Sequence, residues 1–172
     1  LARWLVSRGA DLSAPDSWRN TPLHSRARSY RSSPEVLLEL GADVDATGPS
    51  VGTPRHAAAD SINPPNAARL VAHGAQVDAR NQQGLTPLEL ALRGCVNAKI
   101  VEMVQLAKVL LAAGAERTPI MATFVTEIGK RFEFHRAGFS SEHLEETSAA
   151  LDQLYSLFGV APVPRRVVHD GK

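Results

Sequence analysis

The sequence predicts an all-α protein built as a tandem array of antiparallel helix pairs. Two markers in one phase predict it. Thr-Pro stands at Thr21-Pro22, Thr53-Pro54, Thr86-Pro87 and Thr118-Pro119, at intervals of 32, 33 and 32 residues. Gly-Ala stands at Gly9-Ala10, Gly41-Ala42, Gly74-Ala75 and Gly114-Ala115, at intervals of 32, 33 and 40. Each of the first three Gly-Ala steps is followed by Thr-Pro twelve residues later. A fixed period of this size is what a stack of similar units requires, because each unit buries its apolar face only against its neighbours.

The chain opens on "LARWLVSRGADL", an amphipathic piece that ends on the first Gly-Ala step and forms a partial unit over 1–14. Units over 15–46, 47–79 and 80–116 follow. In each, Thr caps the amides of a first helix and Pro suits its first turn. The second helix carries an apolar face, as at Val36, Leu37, Leu38 and Leu40, or Leu70 and Val71. Gly then supplies the left-handed residue that stops it. After the stop, "ADVDA" and "AQVDA" are short extended pieces running into a polar turn. The fourth unit holds seven extra residues within "RGCVNAKIVEMVQLAKVLLAAG", about two helical turns. This predicts a longer second helix from about Ala98 to Ala113, with Ile100, Met103, Val104, Ala107, Leu110 and Leu111 on one face.

Residues 119–160 depart from the repeat. "GAERTPIM" has no room for an extended finger. Ile120, Phe124 and Ile128 predict a helix from Pro119 to about Arg136, broken by "AGFSS". A second helix, capped by Ser141, follows on the stripe Leu144, Ser148, Leu151, Tyr155 and Phe158 and stops at Gly159. Such a pair reads as an enlarged cap over the end of the array. Pro162 and Pro164 make 161–172 an extended tail or linker.

The stretches "NTPLHSRA…VLLELGADVDA", "GTPRHAAA…ARLVAHGAQVDA" and "GLTPLELAL…AKVLLAAGAE" resemble the ankyrin repeat family over residues 1–118. The resemblance implies a solenoid of helix pairs with projecting β-hairpin fingers, closed here by the two-helix cap. It also implies a non-enzymatic role in binding another protein, as an intracellular adaptor or, more narrowly, an immunity-type inhibitor of a toxin. The tail wording "FEFHRAGF…ALDQLYSLFGVAPVPRR" is similar to tails of bacterial ankyrin-repeat proteins. Departures are informative. Glu89 stands where His24 and His56 keep the family histidine, and Arg55 replaces an apolar residue, which predicts looser packing there. Arg19 and Val51 stand where Gly84 keeps the turn glycine.

Composition excludes several alternatives. Nineteen basic and 18 acidic residues leave a net charge of +1, which gives no reason to expect nucleic acid or an anionic membrane. There is no apolar run of membrane-spanning length and no signal peptide. The single cysteine, Cys95, forms no intrachain disulfide or thiolate zinc cluster and fits a cytoplasmic location. A monomer with no cofactor and no metal is expected. Both termini read as cut, so the chain is expected to be a fragment.

His24 and His56 are assigned to the fold, as side chains that tie each unit to the next turn. His135, His143, Glu133, Glu142, Glu145 and Glu146 match no established metal spacing, and the acids suit a helix N-terminus. No nucleophile elbow or phosphate loop is present. The resemblance therefore places the binding residues on finger tips and the concave first-helix face. By register from Thr-Pro these are Ser17, Trp18, Asn20, Arg28 and Ser29, then Ser50, Asp60 and Ser61, then Gln82, Gln83, Leu85 and Arg93. Pro49, Gly52 and Gly94 share those registers. Trp18 is the leading anchor, since a turn tip offers it little core. Arg19, Arg26, Arg28 and Arg31 with Tyr30 form a basic, partly aromatic patch that suits either an acidic partner or a solvated face. The competing readings are an enzyme or metal site within 119–172, or a scaffold for a catalytic domain outside this segment.

Overall fold

The computed structural model describes residues 1–48 and 52–165. Nine α-helices run through them: α1 Ala2–Ser7, α2 Pro22–Arg28, α3 Glu35–Glu39, α4 Pro54–Asp60, α5 Pro64–Ala72, α6 Pro87–Gly94, α7 Ile100–Ala112, α8 Pro119–His135 and α9 Ser141–Phe158. The described residues form no strand, and the fold is all-α. Helices α2, α4, α6 and α8 pack one on the next as an inner row, with α5, α7 and α9 as an outer row behind them. Each inner helix also packs on the outer helix that follows it in sequence, and α1 packs on α3.

Both repeat markers act as their chemistry requires. Pro22, Pro54, Pro87 and Pro119 each begin an inner helix, behind Thr21, Thr53, Thr86 and Thr118 as N-caps. Three of these starts are capping boxes closed by His24, His56 and Glu89 at the third helical position. Gly9, Gly41, Gly74 and Gly114 have φ between +81° and +96°, the left-handed region where a side chain is strained. Leu23, Leu70, Leu88, Leu92, Ile100, Leu106 and Leu110 fill the space between the rows. Burying each stabilises the fold by about 1.5–3 kcal/mol.

Several local expectations are corrected. In place of hairpin fingers, the described turns are closed by one or two hydrogen bonds, and among the described residues only Gly48 and Gly52 form a bridge. A side chain does the work a ladder would do, as described below for Asp16 and Asn81. The insertion starts as a 3₁₀ turn over Asn97–Lys99 and α7 begins at Ile100. Its buried face includes Leu106, whereas Leu111 is half-buried. Ser140 rather than Ser141 is the N-cap of α9, and its Oγ lies 2.8 Å from His143 Nδ1. In the second-helix stripe of that last pair, Leu151 and Tyr155 are buried with Thr147, Ala150 and Leu154, whereas Ser148 and Phe158 are half-buried.

Arg55 does not loosen its layer. It is 0% exposed inside α4, where Pro54 through Ala59 are all buried. Its Nη2 donates to Ala75 O at 2.6 Å, while Nε and Nη1 have no partner among the described residues. Asn66 is a second buried polar side chain with a structural task. Its Nδ2 lies 2.8–3.2 Å from Arg26 O, Ala27 O, Ser29 O and Ser32 O, so its two N–H groups serve the carbonyls at the end of α2 from the next unit. Among the described residues, no helix is long and apolar enough to cross a membrane.

Candidate partner-binding site

The candidate site is built from two turns and the inner helices they introduce. Asp16 Oδ1 accepts from the backbone N–H of Trp18 and of Asn20, both at 2.9 Å, and Asp16 N donates to Asn20 O. This Asx turn sets the tip "SWRN" just ahead of α2. Arg19 adopts φ +61° there, the conformation that Gly84 adopts at φ +73°. Asn81 repeats the device, its Oδ1 accepting from Gln83 N at 2.9 Å and Leu85 N at 3.0 Å.

Trp18 is 71% exposed at the first of these tips. A groove of about 500 Å³ lies beside it, lined by Asp16, Trp18, Asn20, Ser25, Arg28 and Ser29, with His24 and Ala57 on its floor. Trp18, Asn20, Arg28 and Ser29 are thus brought together as the register implied. Asp16 and Ser25 line the same groove and were not singled out in the sequence; the Asp-to-Trp spacing of an Asx turn is the signal that points to Asp16. Arg28, which lines the groove, donates from Nη2 to Asp60 Oδ2 at 3.3 Å. Asn20 Oδ1 is buried without a partner among the described residues, and a Cβ on Gly48 would stand 2.9 Å from it.

The remaining expected positions are distributed differently. Ser17 is exposed at the tip. Ser61 turns its Oγ onto Ala57 O and Ala58 O of its own helix, both at 3.1 Å. Its carbonyl accepts from the Tyr30 hydroxyl, whose oxygen also lies 3.0 Å from Ile62 O. Tyr30 carries Lys99 Nζ 4.9 Å from its ring centroid. Gln82 and Gln83 are exposed on the second turn, and Arg93 Nη2 donates to Gln83 Oε1 at 2.6 Å. Leu85 is buried and offers its carbonyl to His56 Nε2 at 3.0 Å. Ser50, with Pro49 and Val51, lies outside the described residues.

The buried histidines sit behind this surface. His24 Nε2 reaches Gly52 O at 2.9 Å, and burial holds its ring below the ordinary imidazole range. His56 is lowered in the same way and for the same first cause. Cys95 is buried, and burial pushes its thiol up to about 12, which leaves no thiolate for chemistry. At the other end of the molecule a second hollow of about 570 Å³ holds Glu102, His143 and Glu146. Glu102 is paired with Lys99 at 2.9 Å, His135 Nδ1 lies 2.8 Å from Arg131 O, and Glu133 pairs with Arg136 at 2.9 Å. Among the described residues no three His, Cys, Asp or Glu side chains come together to hold a metal.

No known family profile matches the chain. One stretch of 58 residues is 45% identical to the BTB/POZ domain and ankyrin repeat-containing protein NBCL of Lotus japonicus. The likeness is local. It covers 33% of this chain and 12% of that protein, so the chain matches about an eighth of its relative's length. It falls in with the repeat markers and points toward ankyrin repeats.

Proposed function

We propose that this chain is a non-enzymatic protein-binding module, an ankyrin-type solenoid with α8 and α9 as an enlarged cap. A partner protein lies against the turn tips and the exposed face of the inner helices. The observation that carries this reading is the groove beside Trp18, which an exposed tryptophan, an arginine and two serines line together. Trp and Arg are the residues on which interface energy concentrates, and the surrounding polar positions act as the rim. Ser17, Asn20, Ser29, Asp60, Ser61, Gln82, Gln83 and Arg93 form that rim. The local likeness to an ankyrin repeat-containing protein supports the same reading.

Affinity capture from the source cell's lysate tests it, with wild type compared against Trp18→Ala/Arg28→Ala. The expected result is a protein retained by wild type and lost by the double variant, with unchanged helical circular dichroism in the variant. Equal retention by both would place the binding face elsewhere and overturn the reading.

A further inference from the structure

We propose that the groove beside Trp18 receives an acidic segment of the partner, whose carboxylate takes the place of Asp60 on Arg28. The proposal rests on the protein-binding reading above and names the chemistry of the partner at that site.

The first support is the state of the Arg28–Asp60 pair. The two groups meet at 3.3 Å through a single nitrogen, and their side chains are 47% and 48% exposed. Such a pair contributes little to stability and opens readily in water. A guanidinium presents a planar fork that matches a carboxylate through two parallel bonds, and one-nitrogen contact leaves most of that fork unused. Arg28 therefore lines the groove with most of its donors unused by Asp60.

The second support is the sign of the surface. Arg19 and Arg28 are exposed at the turn tip and at the end of α2, and Arg31 is exposed just beyond it, whereas Arg26 lines a separate hollow with Ala2, Arg3 and Val36. The one acid among them, Asp16, already gives Oδ1 to two backbone amides. Positions 28, 60 and 93 recur at the same place on α2, α4 and α6 and read Arg, Asp, Arg, so Asp60 stands between two arginines. An approaching anion is drawn to this side of the molecule although the whole chain carries only +1.

The third support is the lining. Ser25 and Ser29 line the groove with Arg28, and Trp18 adds an exposed apolar side chain. His24, the other ring in the groove, is committed to Gly52 O and is held neutral by burial, so it adds no competing cation. A segment with Asp or Glu next to an apolar side chain satisfies both halves: the carboxylate on Arg28 and the serines, the apolar group on Trp18.

The exchange on Arg28 gives a test that a structural ion pair would fail. The full chain is immobilised and used to select from a displayed library of random dodecapeptides, with Trp18→Ala/Arg28→Ala as the subtraction control. Enriched peptides are expected to be acidic with at least one apolar residue. Binding of a labelled enriched peptide is expected to fall about tenfold or more in Arg28→Ala, as for loss of a charged contact. The same peptide is expected to bind more tightly to Asp60→Asn, since that change releases Arg28. Equal weakening by Asp60→Asn and Arg28→Ala would overturn the proposal, because the pair would then be structural. Enrichment of neutral or basic peptides lost from the control would overturn the acidic chemistry and leave the binding reading standing. Equal affinity for a single-stranded RNA of similar length would also overturn it, as general attraction of anions. No enrichment at all would exclude a peptide segment as occupant. Unchanged thermal unfolding of Arg28→Ala and Asp60→Asn shows that the variants are folded.

Discussion

Thr118 Oγ1 donates a 2.6 Å hydrogen bond to Glu89 Oε1, joining α6 to the start of α8. In the two preceding units the same position is histidine, and the bond runs the other way. His24 Nε2 donates to Gly52 O and His56 Nε2 to Leu85 O. A backbone carbonyl needs a donor, whereas a hydroxyl can give its proton, so the replacement of histidine by glutamate goes with a change of partner. Glu89 Oε2 also accepts from Thr86 N at 2.8 Å, keeping the capping box that the histidines make with Nδ1.

Removal of this carboxylate leaves Thr86 N without an acceptor in a buried setting. Glu89→Ala is expected to cost about 2–3 kcal/mol, the range for a buried bond to a charged group. Glu89→Gln keeps an oxygen for Thr86 N and an amide toward Thr118, and is expected to cost under about 1 kcal/mol. Urea unfolding of the two variants beside wild type measures both. Equal losses would mean that charge rather than bonding holds this junction.

The joints between units are sensitive to pH, with a sign the geometry fixes. Thr21 N donates to His24 Nδ1 at 3.2 Å, so the ring proton is assigned to Nε2, which donates to Gly52 O. His56 repeats this between Thr53 N and Leu85 O. Protonation would set a second N–H against the threonine amide. Burial is the largest cause lowering both rings from 6.5, with Arg28 near His24 and Arg55 near His56 acting in the same direction against the carbonyl bonds. The folded chain thus binds fewer protons than the unfolded one below 6.5. The stability the two rings contribute is present above that value and is lost as pH falls through their lowered folded values. Glu89 adds a second loss further down. Burial raises it, but bonds from Thr118 and Thr86 and the charge of Arg80 outweigh that, and it lies below 4.5. Thermal midpoints measured from neutral pH downward are expected to fall in these two steps. A His24→Gln/His56→Gln variant is expected to lose the upper step.

The helix starts and stops were legible because Thr-Pro and Gly-Ala are local chemistry: each residue's own conformation and its near amides decide its place. What lay hidden depends on neighbours a full unit away. Asn66 looks like a polar residue early in an outer helix, yet its amide serves carbonyls some forty residues back. The fingers contract to turns because Asp16 and Asn81 do locally what paired strands would do. Trp18, Arg28 and Ser29 fell together in one groove since register alone sets their spacing, whereas Leu85 turned inward with the carbonyl that His56 holds.

Arg55 separates charge from volume in the inner row. Its guanidinium is wholly buried, with one bond to Ala75 O and two nitrogens unmatched among the described residues. Burial is the main cause lowering it, and Asp45 and Asp78 act against that. Buried charges replaced by apolar groups of similar size are often neutral or stabilising by about 1–4 kcal/mol. Arg55→Leu, the type of residue found at Leu23 and Leu88, is expected to match or exceed wild-type stability. Arg55→Ala leaves a cavity and is expected to cost about 2–5 kcal/mol. Chemical denaturation of the pair decides it; a large loss in Arg55→Leu would show that the bond to Ala75 O holds the layer together.

Gly129 sets how closely α8 approaches α9. A Cβ built there would stand 1.9 Å from Tyr155 Oη, 2.9 Å from Tyr155 Cζ and 3.1 Å from Val163 Cγ2. Tyr155 is buried, and its Oη accepts from Val163 N at 3.3 Å, so the ring has little space to retreat. Gly129→Ala gains helix propensity of about 1 kcal/mol in an exposed helix. Here overpacking of about 1–3 kcal/mol opposes it, and the net change is expected to be destabilising. Tyr155→Phe removes the nearest of the three atoms. The cost of Gly129→Ala is therefore expected to be smaller in the Tyr155→Phe background than in wild type, by an interaction energy of about 0.5 kcal/mol or more. A double-mutant cycle by urea unfolding reads this directly. Additive losses would mean that α8 and α9 shift apart as a unit and that Tyr155 Oη does not set their separation.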